Sequence, residues 1–129
     1  ELANEHGFGQ MGSWRSIVAS DHNNDGVLDF IVSDVEHRPM LLLSESCTAN
    51  AWLEVGAPHG SRIEVQAGER TWTGWANTAS SFGGAVEPVA HFGLGDIATI
   101  DAVVVHRPDG TIVETDGPLA TRRRIDLKP

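Results

Sequence analysis

Cationic side chains are scarce in this 129-residue chain: 9 Lys plus Arg stand against 18 Asp plus Glu, a net charge of −9. A protein that grips phosphate backbones needs the reverse balance, because its affinity comes from cations that displace condensed counterions. The shortage argues against nucleic acid and against an anionic membrane as partners. Cysteine is almost absent too. The single Cys47 forms no intramolecular disulfide and no thiolate metal cluster, and reads as a small buried hydrophobe. Long apolar runs are missing: the longest, 40–43 and 102–105, fall far short of the ~20 residues that span a bilayer, so no membrane insertion is expected. No charged-then-apolar leader precedes Glu1, and the expectation is that a signal peptide or upstream sequence has been removed.

What is present is ordinary for a folded chain: 40% hydrophobic residues, 21% charged, with 14 Gly and 6 Pro implying many turns. The length suits one domain, or one with a small appendage, burying somewhat under ~70% of its unfolded surface. Residues 1–48 carry eight acids and two bases (8 − 2, charge −6), and residues 49–129 carry ten acids and seven bases (10 − 7, charge −3). The acidity is concentrated in the shorter first part.

Apolar residues alternate or run in short β-branched blocks, which is strand rather than helix patterning. Ten strands are expected, over 16–20, 30–34, 40–44, 51–55, 62–67, 70–75, 89–93, 102–106, 111–114 and 123–127. One short helical piece is expected at Ile97 to Ile100. Turns are read at Asn24-Asp25-Gly26, Ala67-Gly68-Glu69, Pro108-Asp109-Gly110 and Asp116-Gly117-Pro118, where Gly supplies positive φ and Pro presets φ near −65°. This density of short strands predicts an all-β fold, an antiparallel β-sandwich or partial barrel.

The sharpest local signal is Asp21-His22-Asn23-Asn24-Asp25-Gly26-Val27-Leu28-Asp29. Oxygen-bearing side chains at loop positions 1, 3, 5 and 9, with Gly at 6, converge on one point if the chain coils tightly, the way a hard cation with 6 to 8 oxygen ligands is held. Asp21, Asn23, Asp25, Asp29 and the carbonyl of Val27 are the candidate Ca²⁺ ligands, with His22 pointing outward. Three Asp with no Lys or Arg nearby repel one another unless a cation is present. The loop is not an EF-hand: Val32 occupies the position of the bidentate Glu, and the flanks are β-type. The plain alternative is an Asx-rich turn with solvated acids.

Signatures of catalysis are missing. The six histidines show no metal-ligand spacing. Ser80-Ser81-Phe82-Gly83-Gly84 lacks the strand and helix of a nucleophile elbow, and Gly93-Leu94-Gly95-Asp96 lacks the third glycine of a dinucleotide fingerprint. Trp14, Trp52, Trp72 and Trp75 offer flat apolar faces for a sugar ring. Trp72 and Trp75 are the candidate ligand-binding pair, although their spacing of three sets them on opposite strand faces and assigns at least two of the four tryptophans to the core. Arg122-Arg123-Arg124 reads as pairing with the acid surplus rather than as an anion site.

The run from Trp14 through Asp21 to Asp29, Phe30 and Val32, followed by Pro39 to Leu43, resembles one FG-GAP or VCBS repeat, a blade of integrin-type β-propellers that carries calcium in the loop between two strands. From Asn50 onward the chain resembles the ASPIC/UnbV domain, which follows such repeats in cartilage acidic protein 1-like proteins. That resemblance rests on Asn50-Ala51-Trp52-Leu53-Glu54-Val55, Gly60 to Val65, Ala67-Gly68, His91-Phe92-Gly93-Leu94-Gly95 and Arg107-Pro108-Asp109-Gly110-Thr111. Arg107 stands where that family usually has Trp. The two resemblances imply a propeller-blade-like hairpin with a calcium loop over residues 1–48, packed on a β domain over 49–129. The expected function is a non-catalytic, calcium-binding module for protein recognition, adhesion or assembly, secreted, periplasmic or at the cell surface. A protein partner, a second copy of the chain or a glycan are the candidate partners, and the rival reading is a carbohydrate-binding or accessory module of a secreted enzyme.

Overall fold

The structure is a computed structural model that describes Glu5, Gly9, residues 12–45 and residues 49–128, with the side chains of 79 and 80 left aside. Cys47 lies outside the described residues. Two compact units divide the chain: Glu1–Glu45 with Ala79–Ala85, and Ser46–Thr78 with Val86–Pro129.

In the first unit, β1 (Trp14–Ser20), β2 (Asp29–Asp34) and β3 (Met40–Leu42) form an antiparallel meander in the order β1-β2-β3. The register sets Val18 opposite Ile31 and Ile31 opposite Leu41 on one face, with Ile17 opposite Val32 and Val32 opposite Met40 on the other. Both faces are apolar because β-branched residues fill consecutive positions rather than alternate ones. Val18 and Val32 are buried, one on each face.

The second unit is built on a seven-stranded sheet. Its strands are β4 (Ala51–Gly56), β5 (Ser61–Ala67), β6 (Arg70–Ser81), β7 (Gly84–Gly95), β8 (Thr99–His106), β9 (Ile112–Ala120) and β10 (Arg123–Asp126), in the spatial order β10-β4-β7-β6-β5-β8-β9. The end of β6 and the start of β7 are grouped in the first unit. The sheet is nearly closed, and its connectivity explains why. Strands β9 and β10 lie at opposite ends of the order but are three residue steps apart along the chain, about 11 Å at full stretch. A flat seven-stranded sheet would separate its edges by six spacings, roughly 29 Å. The sheet must therefore curl.

Strand direction changes at the β4–β10 pair. An antiparallel fold is the expectation from the strand pattern, but β10 pairs with β4 in parallel, Arg124 beside Glu54 and Asp126 beside Gly56. β9 runs opposite to β4, and the two-residue link at its end turns the chain back, so β10 runs the same way as β4. The seam is tied by the Arg122 N–H to the Trp52 carbonyl at 2.7 Å, the Leu127 N–H to the Gly56 carbonyl at 2.7 Å, and the Arg107 guanidinium to the Leu127 carbonyl at 3.0 Å. Arg107 thus clasps the β8–β9 turn to the C-terminal segment.

The core is filled by the inward-facing residues of this sheet. Leu53, Val55, Ile63, Val65, Ile100, Val103 and Val105 are fully buried, and Trp72, Leu119, Ile125 and Leu127 pack against them. Each of these aliphatic side chains contributes about 1.5–3 kcal/mol by leaving water. Strand β5 shows the pattern most directly: Ile63, Val65 and Ala67 point in while Arg62, Glu64 and Gln66 point out, the period of two that a half-buried strand requires.

Three local expectations change. Ile97 to Ile100 is not helical: the Ile97 N–H closes a turn on the Leu94 carbonyl, and β8 already begins at Thr99, because Gly95 takes φ +64° and ends β7 abruptly. Asp116-Gly117-Pro118 is not a turn between strands but part of β9, beside the register shift between Ile100 and Ala102 on β8. Strands β6 and β7 each run to 12 residues, well past the expected ends, because ladder bonds between neighbouring strands carry small and polar residues that show no hydrophobic alternation. Phe82 and Gly83 turn the chain between them, Gly83 at φ +67°.

Candidate functional site

Strand β1 ends at Ser20 and β2 begins at Asp29, so the acidic segment is the connection between two paired strands, with Ser20 opposite Asp29 in the ladder. Eight residues cross a gap that two could close, and the surplus coils. Asn24 at φ 59° and Gly26 at φ 89° supply the left-handed bends, which Gly adopts freely and Asn tolerates better than most residues.

The loop is organised around its own side-chain oxygens. Asp21 accepts the Asp25 N–H on Oδ1 at 3.1 Å and the Gly26 N–H on Oδ2 at 2.7 Å. Asn23 Oδ1 accepts the Asp25 N–H at 3.2 Å, and its Nδ2 donates to Asp25 Oδ2 at 2.8 Å. Asp25 Oδ1 accepts the Val27 N–H at 2.8 Å. From β2, Asp29 accepts the His22 N–H on Oδ2 at 2.9 Å and the Ser44 N–H on Oδ1 at 2.8 Å, while the Ser44 hydroxyl donates to the Leu28 carbonyl at 2.8 Å. Asp21, Asn23 and Asp25 therefore share one network, Asp29 joins it through His22, and Val27 touches it through its N–H. The His22 side chain is exposed. Ser44 is the participant that sequence reasoning missed; it lies 15 residues beyond Asp29, and no spacing pattern marks it.

Burial separates the four acids of this region. Asp21 is 7% exposed and Asp29 1%, whereas Asp25 stands open to solvent. Among the described residues neither buried carboxylate has a cationic side-chain partner; each is held by backbone N–H groups. Each oxygen of Asp21 and Asp29 takes one such donor and so retains a further lone pair. Among the described residues, no group of three or more His, Cys, Asp or Glu side chains is already gathered at metal-holding distance. The fourth acid, Asp34, closes the far end of β2. Burial pushes its carboxyl upward, but the Glu36 N–H, the His37 ring at 2.9 Å and the His37 N–H outweigh that and hold its pKa at about 2.

The tryptophans do not form one platform. Trp72 faces inward beside Val65 and packs on the core, while Trp75 lies on the opposite face and is 55% exposed. The pair is thus divided by the pleat of β6, with Trp72 half-buried against the core. Trp52 stacks on His91 with ring centroids 6.3 Å apart and planes within 7°. The three consecutive arginines are spread as well. Arg124 pairs with Glu87 and Asp126, and Arg122 donates to the Ala49 carbonyl.

No curated protein matches the chain. A family model described as ASPIC and UnbV matches residues 57–129, which is 73 of 129 residues and takes in β5 to β10. The match covers more than half of the sequence and most of the nearly closed sheet, and the chain belongs to the ASPIC and UnbV family.

Proposed function

We propose that the chain is a non-catalytic, calcium-binding, extracytoplasmic module for protein recognition, adhesion or assembly. In this reading residues 1–48 form an FG-GAP/VCBS-like repeat whose Ca²⁺ is held by Asp21, Asn23, Asp25, the carbonyl of Val27 and Asp29, ahead of the ASPIC/UnbV-like β domain of residues 49–129. The observation that carries it is the burial of Asp21 and Asp29 on one coiled loop with no side-chain cation beside them among the described residues. A buried carboxylate is ordinarily paired or bound to a metal, because transfer out of water otherwise costs several kcal/mol. The loop also joins two antiparallel strands, as the calcium loop of a propeller blade does, and its donors are all oxygens, which suit a hard cation.

The role of the ion is structural. It offsets the repulsion among the loop acids and stabilises the native state by mass action. With a dissociation constant near ~10⁻⁴ M, typical of extracellular modules, 10 mM Ca²⁺ stabilises by about 2.7 kcal/mol. A thermal melt in 10 mM Ca²⁺ and in EGTA tests this, with calorimetric titration of Ca²⁺ as the direct readout. The midpoint is expected to rise by several degrees with Ca²⁺. In Asp25→Asn, which keeps an acceptor for the Val27 N–H and gives up the bond from Asn23 Nδ2, the Ca²⁺-dependent shift shrinks relative to wild type. Equal midpoints in the two buffers, with no heat of binding, would overturn the assignment.

A further inference from the structure

We propose that the outer face of β6-β5-β8-β9 binds a neutral oligosaccharide, with Trp75 as the stacking platform. The inference goes beyond the protein recognition, adhesion or assembly proposed above: it names a different ligand class and a face that contains none of the calcium-loop residues. The ladder registers align Trp75, Arg62, His106 and Ile112 in one row across the four strands. At ~4.8 Å per strand the row is about 14 Å long. Its ends are large apolar side chains left in water, Trp75 at 55% and Ile112 at 62% exposure. Its middle is polar: Arg62 forms an ion pair with Glu64, and His106 Nε2 lies 3.8 Å from the same Glu64 carboxylate.

This chemistry selects against charged ligands. Arg62 is already neutralised by Glu64, and Glu114 and Asp116 occupy the β9 side of the same face, opposite Val104 and Ala102, so an anion meets net negative charge. A cation stacking on Trp75 within the ~6 Å that cation–π attraction needs gains nothing from the Arg62–Glu64 pair beside it, which carries no net charge. The β9 acids that would welcome that cation stand three strands away. A pyranose ring meets both demands of the row: its C–H face covers an indole, and its hydroxyls donate to the Glu64 carboxylate and accept from Arg62. The paired ions are held in place by each other, so less side-chain freedom is lost on binding.

Calorimetric titration of the full chain with cellohexaose, xylohexaose and mannohexaose, each in EGTA and in Ca²⁺, tests the proposal. At least one hexasaccharide is expected to bind with a dissociation constant below ~1 mM. Trp75→Ala is expected to weaken it tenfold or more, and Glu64→Gln to weaken it severalfold. Trp75 is exposed, so Trp75→Ala should retain the wild-type melting curve. Binding in EGTA is expected to persist, because the face contains none of the loop residues. Failure of the calcium assignment and failure of this one are therefore separable. The proposal is overturned if no hexasaccharide binds at 5 mM, if Trp75→Ala binds as well as wild type, or if hexalysine or trigalacturonate binds in a Trp75-dependent way more tightly than the neutral sugars.

Discussion

Gly117 occupies a point on β9 where a side chain cannot go: an added Cβ would lie 2.3 Å from the Ile100 carbonyl oxygen and 2.6 Å from that of Asp101. Those atoms are backbone of β8 and cannot swing aside. Gly117→Ala is therefore expected to destabilise by about 1–3 kcal/mol or more, as overpacking does, read as a fall in the urea midpoint with unchanged m. A surface glycine such as Gly68 meets nothing within 4 Å, and only its φ of +57° opposes substitution there. Single residues also do the tying. Asp29 holds His22 on one oxygen and Ser44 on the other, so it fastens the acidic loop and the end of β3 to β2 even before any ion is considered. The role of Asp29 in the loop is legible from its spacing, but the Ser44 clasp is not, because it depends on how the chain returns after β3.

Elements are held to one another by a charge cluster on the outside of β10-β4-β7. Arg124 reaches Glu87 with both Nη atoms, at 2.8 and 2.7 Å, and Lys128 reaches the same carboxylate at 2.5 Å. Asp126 completes the set at 3.0 Å from Arg124. Gly56 makes room for it, since a Cβ there would lie 2.0 Å from Asp126 Oδ1. Hydrogen bonds from Arg124 and Lys128 hold the Glu87 pKa at about 2, below its ordinary 4.5. A carboxylate lowered on folding stabilises the native state fully above its ordinary pKa and loses that contribution as pH falls through the lowered value. Wild type is accordingly expected to lose stability between about pH 4.5 and pH 2 more steeply than Glu87→Gln, measured by urea unfolding across that range. Glu87 is half exposed, so the difference should shrink in high salt. An identical acid limb in the two proteins would remove the cluster from the account of how β7 and β10 are joined.

At the scale of the molecule the two units differ in what holds them. The second has a continuous core of fully buried aliphatics. The first has two buried valines and an acidic loop, with Ile17, Ile31, Leu41 and Leu43 each more than a third exposed. A ligand of the loop should therefore act unevenly. Hydrogen exchange with and without Ca²⁺ is expected to show increased protection in residues 14–44 and little change in 51–67 and 99–106. A uniform change across the chain, or none in 14–44, would contradict that. The grouping of residues 79–85 with the first unit has no counterpart in composition or charge.

The ten strands, the turns at Asn24 to Gly26, Gly68 and Gly110, the opposite facing of Trp72 and Trp75, and the family of residues 57–129 all follow from the order of residues. Each depends on local rules: period-two patterning, positive φ at glycine, and motif spacing. The tertiary structure decided what those rules do not reach. The parallel β4–β10 pair comes from the short reversal after β9, which brings β10 to the far end of a nearly closed sheet. Gly117 belongs to a strand and not to a turn because β8 passes beneath it. The row from Trp75 to Ile112 exists because ladder registers bring four distant segments into line. Registers and closure are properties of pairs of segments, and a single segment carries only half of the information that fixes them.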